Sequence, residues 1–152
     1  LYAWGETEIH TLLDDMKKAC ELDKKDGKVE DKKEYFIGNI TTSTDKDDKD
    51  KFVLIDGQQR LATLWFIGFY LASQNCPNWK EFIEQGKNLR IAVPIRDSEE
   101  NAIKELAKNI NGKENLVRSL QGYNIAEKII KAFDYIEKYG LMQILKKIRT
   151  IK

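Results

Sequence analysis

Behind the opening Leu1-Tyr2-Ala3-Trp4, apolar residues recur at Ile9, Leu12, Leu13, Met16 and Cys20. That spacing predicts an amphipathic helix over residues 6–21. Residues 23–34 are dense in both charge signs and read as a solvated loop. Aromatic and β-branched residues crowd 35–42, which predicts a strand. The stretch STDKDDKDK at 43–51 holds no apolar residue and is expected as an exposed turn. Residues 52–55 then supply the partner strand of a long-looped hairpin, an apolar run expected to be buried. Residues 61–72 are apolar on all sides, the mark of a central helix covered by neighbours. Residues 89–95 alternate around Pro94 and predict a strand near a sheet edge.

Beyond that point the pattern is helical. Asp97 and Glu100 form a capping-box spacing ahead of Ile103, Leu106, Ala107 and Ile110. Asn124 and Glu127 repeat it around Ile125 and before Ile129, Ala132, Phe133 and Ile136, and Gly140 closes that helix. The expected fold class is α/β (α+β), with one unit over 1–96 and a helical extension over 97–152. No internal repeat is visible.

Between the two apolar runs stand Asp56-Gly57-Gln58-Gln59-Arg60. One reading is a helix cap. Asp56 caps the helix, Gln59 returns the bond and Gly57 eases the turn. That reading leaves Gln58 and Arg60 unexplained, and a cation in the first turn opposes the macrodipole at about 0.3–1 kcal/mol. The other reading is an anion site. Free N–H groups at a helix start attract phosphate or carboxylate, and Arg60 adds a forked binder. Gly57 would admit a ligand close to the backbone. Asp56 must then pair with Arg60, hold a ribose hydroxyl, or meet phosphate through a divalent metal.

Composition narrows the partners. The 152 residues carry 26 Lys and Arg against 25 Asp and Glu, a net charge of +1, so contact with DNA would be local rather than through an overall positive field. A hydrophobic share of 41% suffices for a packed core. Cys20 and Cys76 have neither a CxxC partner nor a nearby His, which gives no zinc site and fits a reduced, cytoplasmic setting. The apolar run after Arg60 is too short and interrupted to span a bilayer, and no signal peptide is visible. The chain opens without methionine and reads as a piece of something longer.

YFIGNI followed by VLIDGQQRLATL, with LYAW and LLDDM upstream, resembles the N-terminal domain of GmrSD-type, modification-dependent restriction endonucleases. The resemblance runs from Leu1 to about Ala72, and YNIAEKIIKAFDYI is similar to the helical part of that family. It implies a fold related to ParB and sulfiredoxin. It also implies binding and hydrolysis of a nucleoside triphosphate, with magnesium, at Asp56, Gly57, Gln58, Gln59 and Arg60. Asp56 and Arg60 would carry the catalysis. Tyr2 and Trp4 fall on the end of the family's Tyr-Gln-Arg-x-Tyr-x-Trp pattern and join the cofactor-binding set, the Gln-Arg part lying ahead of Leu1. Ala62 stands where threonine is usual, with Thr63 beside it. The implied partners are DNA through the full-length protein, a separate His-Asn-His-type nuclease domain or subunit, and a further copy of the chain. A membrane is not among them.

Other candidates are weaker. His10, the single histidine, sits beside Thr11 and Asp14 and reads as a surface residue, and one histidine cannot build a His-Asn-His centre. Glu30-x-Lys32 lies in solvated charge, and no GxxxxGK[ST] or GxGxxG loop occurs. Trp65 reads as core. Lys146, Lys147, Arg149 and Lys152 could touch phosphate or simply complement a helix dipole. The rival function is a non-catalytic DNA-sensing or partner-docking domain in which the motif is only structural. A third reading is a scaffold fragment.

Overall fold

The computed structural model describes residues 2–22, 35–76, 78–86, 88–91, 97–108 and 126–143. Helix α1 spans Glu6–Leu22, with Glu6 and Glu8 in its first turn. Both carboxylates complement the positive dipole end, and Glu8 Oε2 also accepts the Gly5 N–H at 2.9 Å. The predicted apolar stripe faces inward, with Ile9, Leu12 and Leu13 all buried.

Strands β1 (Thr41–Thr44) and β2 (Phe52–Asp56) form an antiparallel hairpin. The expected first strand is displaced. Residues 35–40 are not strand, and the pairing begins at Thr41. Gly38 at φ +94 breaks the extended run, and the threonines that follow suit the ladder instead. Ser43 and Thr44 therefore belong to a strand rather than to the turn. Asp45 and Asp48 tighten the loop between the strands. Asp45 Oδ1 accepts the N–H groups of Asp47 and Asp48, and Lys51 Nζ pairs with Asp48 at 2.9 Å. A second correction concerns burial. The apolar run of β2 was expected inside, yet Phe52, Val53 and Ile55 are exposed, because among the described residues this sheet has two strands and no layer across its faces.

Helix α2 (Gln58–Ser73) is the centre of the molecule, as its all-round apolar pattern predicts. Trp65, Phe66, Ile67, Phe69, Tyr70 and Leu71 are all buried. Trp65 Nε1 donates to Ile83 O at 3.3 Å. Helix α3 (Trp79–Ile83) follows, then β3 (Glu84–Gln85) and β4 (Asn88–Leu89) in a tight antiparallel pair. The expected strand over 89–95 is thus reduced here to its first residue, and 92–96 lie outside the described residues.

Helices α4 (Asp97–Lys108) and α5 (Ala126–Lys138) follow among the described residues. α4 starts at Asp97, whose side chain lies outside the described residues, as does Asn124, and Glu100 of the expected capping box pairs instead with Lys104 at 2.6 Å. Gly140 closes α5 as predicted, at φ +75 with its N–H on Glu137 O. One hydrophobic cluster joins Tyr2, the inner face of α1, α2, Ile83, Ile103 and the α5 residues Ile129, Ala132, Phe133 and Ile136. Phe133 meets Phe66 edge-on at 5.5 Å and lies 5.7 Å from Phe69, so α5 covers that face of α2. On the α3 side, Gly68 permits the approach, since a Cβ there would lie 2.4 Å from the Phe82 ring. Among the described residues no helix is long and apolar enough to cross a membrane. Glu30, Lys32, Lys146, Lys147, Arg149 and Lys152 lie outside the described residues.

Candidate functional site

The polar step sits between the end of β2 and the start of α2, and it is not an Asp56 cap. Asp56 closes β2, and Gly57 is the N-cap in the left-handed region (φ 85, ψ 14), with no side chain capping the helix. The first intrahelical bond runs from Leu61 N to Gly57 O at 3.0 Å. A carboxylate at Gly57 would have capped directly; glycine was selected instead because the turn needs positive φ. The neighbours also require it. A Cβ on Gly57 would lie 3.1 Å from Asn39 O and 3.2 Å from Ile40 Cγ1. The close approach at this glycine is therefore made by the chain's own 38–40 strip.

A register shift between Thr41 and Thr42 pairs Thr41 with Asp56 and Thr42 with Leu54, which leaves Ile55 as the extra residue of a bulge. That bulge brings Asp56, rather than Ile55, opposite Thr41. The Asp56 carboxylate is exposed and makes no ion pair among the described residues, with Arg60 or otherwise.

Arg60 turns away from the helix axis to the strip. Its Nη1 donates to Asn39 O at 2.8 Å, and the guanidinium lies so close to Gly38 that a Cβ there would sit 2.8 Å from Cζ. The carbonyl bond offsets the cost of a cation at the positive dipole end. It uses one of five donors, so most of the guanidinium fork stays available to an anion. Tyr35 is close by. Burial first, then its 3.1 Å bond to Asp15 Oδ2, raise its phenol above the ordinary value, and the Arg60 charge pulls the other way.

Gln58 and Gln59 have separate tasks. Gln58 Nε2 donates to Leu54 O at 3.3 Å. The Asp45 N–H bond to Lys51 O fixes the ladder phase, so the Leu54 carbonyl points away from β1 and Gln58 shields the open edge of β2. Gln59 does not return a capping bond to Asp56. Its Oε1 accepts the Ala3 N–H at 2.6 Å. Beneath it, Thr63 Oγ1 donates to Gln59 O at 2.8 Å and shares a 2.7 Å bond with Tyr2 Oη.

Tyr2 thus reaches the motif from the core side. It is buried, lies edge-on to Phe66 at 5.0 Å, and its phenol is pushed up to about 12 by burial, which keeps it neutral. Trp4 is half-buried and packs against the same core. His10 is half-buried too, with Nε2 2.9 Å from Tyr135 O and its ring against Tyr139, so it joins α1 to α5 rather than standing free at the surface.

Sequence reasoning missed Gly38, Asn39 and Thr63. A glycine inside a strand pattern marks a bulge or a close backbone approach, and YFIGNI carried that signal. Among the described residues no group of three or more His, Cys, Asp and Glu could hold a metal ion. A cavity of about 270 Å³ lined by Asn78, Lys80, Glu81, Glu84 and Gly86 includes none of the motif residues. Neither the curated proteins nor the solved structures give a match to this chain. Residues 1–151 match the model of the family described as GmrSD restriction endonuclease, N-terminal domain, and the chain belongs to that family.

Proposed function

We propose that this chain is the nucleoside-triphosphate-binding and -hydrolysing regulatory domain of a modification-dependent DNA restriction endonuclease that acts in phage defence. One observation supports this above the rest. The start of α2 has no side-chain cap, and beside it stands a guanidinium that no carboxylate neutralises among the described residues. Helix-start N–H groups and an arginine fork together suit the oxygens of a phosphate chain.

The residues fit a magnesium triphosphate in a specific way. Magnesium is commonly held by one or two carboxylates with the remaining positions on phosphate and water, and Asp56 offers one exposed carboxylate at the mouth of the site. Bound there, the ion would neutralise phosphate charge. Arg60 would hold the phosphates and stabilise the charge that develops on the transferred group, and Asp56 would orient the ion and its water. Gly57, Gln58 and Gln59 would fix the turn that aims both. Tyr2 and Trp4 would support it from the core side. The ParB and sulfiredoxin-like ancestry, contact with DNA through the full-length protein, a nuclease on another domain or subunit, and a cytoplasmic setting belong to the same reading.

The rival, a DNA-sensing or docking domain in which the motif is only structural, has its own observation. Gln58, Gln59 and Arg60 are each bonded to this chain's backbone. Arg60→Ala separates the two. Calorimetry in magnesium should find triphosphate binding weaker by about 1.5–3 kcal/mol, with the circular dichroism of the fold retained. Arg60→Lys, which keeps the charge without the fork, should recover part of that loss. Equal affinity in wild type and Arg60→Ala would make the step a helix start and nothing more.

A further inference from the structure

Arginine recognises the phosphates that all nucleotides share, and a nucleotide also carries a flat heterocycle. Phe36 stands just ahead of the 38–40 strip that holds Arg60, on the same non-strand segment 35–40. It is 76% exposed, more than any other exposed large hydrophobic side chain among the described residues, and makes no ring contact there. Its neighbours in that segment are engaged. Tyr35 is tied through its hydroxyl to Asp15, Gly38 lies against the Arg60 guanidinium, Asn39 O accepts its Nη1, and Ile40 packs at Gly57. Phe36 stands two positions before Gly38, at most about 7 Å of chain. We propose that Phe36 is the platform on which the base of a bound nucleotide stacks while Arg60 holds its phosphates; the inference rests on the triphosphate reading above and deepens it.

A phenyl face accepts any base, because every base has a π-face, so this contact adds affinity without choosing among bases. Phe52 provides an internal control. It is 69% exposed, but it lies at the other end of β2 from Asp56, opposite Thr44 beside the acidic loop.

The experiment compares magnesium ATP, magnesium CTP and inorganic tripolyphosphate on the wild type and on Phe36→Ala, Phe36→Trp and Phe52→Ala. Phe36→Ala should weaken ATP and CTP alike by about 5- to 150-fold, the usual range for loss of one base–aromatic stack. Tripolyphosphate binding should be unchanged, Phe36→Trp should keep nucleotide binding, and Phe52→Ala should match the wild type. Retained ATP affinity in Phe36→Ala would overturn the inference. So would a parallel loss of tripolyphosphate binding, or wild-type binding of tripolyphosphate as tight as ATP. A wild type that binds neither nucleotide nor tripolyphosphate would instead remove the phosphate site itself, and the stacking platform with it.

Discussion

Only Gly57 separates β2 from α2, yet the two apolar runs on either side of it end in opposite environments. Phe52 and Ile55 in β2 are 69% and 60% exposed, whereas Phe66 and Phe69 in α2 are 3% and 0% exposed. The difference is one of layers. α2 has α1, α3 and α5 around it, while β2 has a single strand beside it and nothing across its faces among the described residues. Two strands alone cannot bury a face, so local stability should be concentrated on the helical side. The motif lies on the border. Thr63, Gln59 and Tyr2 tie it back to the core, and Arg60 and Gly57 reach forward to the 38–40 strip. A rigid scaffold that carries binding groups on its loop side is a common arrangement for a ligand site.

The largest expected effect tests the contrast itself. Phe69→Ala should cost about 3–5 kcal/mol in chemical denaturation, since a fully buried ring leaves a cavity. Ile55→Ala should stay within about 0.5 kcal/mol. If Ile55→Ala proved nearly as costly, β2 would be covered in solution, and a loss that depends on protein concentration would assign that cover to a second copy of the chain.

The border residue comes next. Gly57→Val should lose about 1–3 kcal/mol, from a β-branched side chain forced to φ +85 and from its crowding against Asn39 O and Ile40. Because those contacts belong to the chain, the loss should appear without any nucleotide present. An unchanged melting temperature together with unchanged triphosphate affinity would show the glycine to be incidental.

The two sides also differ in how far the sequence announced them. Periodicity located α1 to within one residue and α2 to within three, because a helix that buries a stripe or a whole surface must write that demand into every turn. It misjudged the hairpin. An apolar strand reads the same whether or not a second layer covers it, so FVLID was expected inside and lies outside. The site was legible as a set of residues and not as a geometry. Asp56, Gly57 and Arg60 stood out in sequence, but the cap assignment went to Asp56 when the left-handed turn belongs to Gly57. The carbonyl that receives Arg60 comes from Asn39, twenty-one positions upstream, and a sequence window does not pair positions that far apart. Gly38 was the one local hint of that meeting.

The smallest effect lies wholly on the helical side, where Lys138 Nζ of α5 donates to Glu6 Oε1 of α1. The hydrogen bond from Lys138 holds the Glu6 carboxyl below its ordinary value of 4.5, and the same bond raises Lys138 above 10.5. The signs follow from linkage. A carboxyl with a lowered folded value contributes stability above its unfolded value and loses it as pH falls through the folded one. An ammonium with a raised folded value contributes below 10.5 and loses it as pH rises past its folded value. The pair therefore supports the α1–α5 contact across the neutral range and fails at both extremes. Its side chains are 38% and 67% exposed, so solvent and salt screen it strongly. Melting of Glu6→Gln and wild type should differ slightly near neutrality, converge in acid, and converge also at high salt. Because the pair does not touch the hairpin, amide exchange in residues 41–56 should be the same in both proteins, whereas exchange at the ends of α1 and α5 should quicken in Glu6→Gln. Faster exchange in the hairpin as well would mean that the exposed strands and the buried helices unfold as one unit.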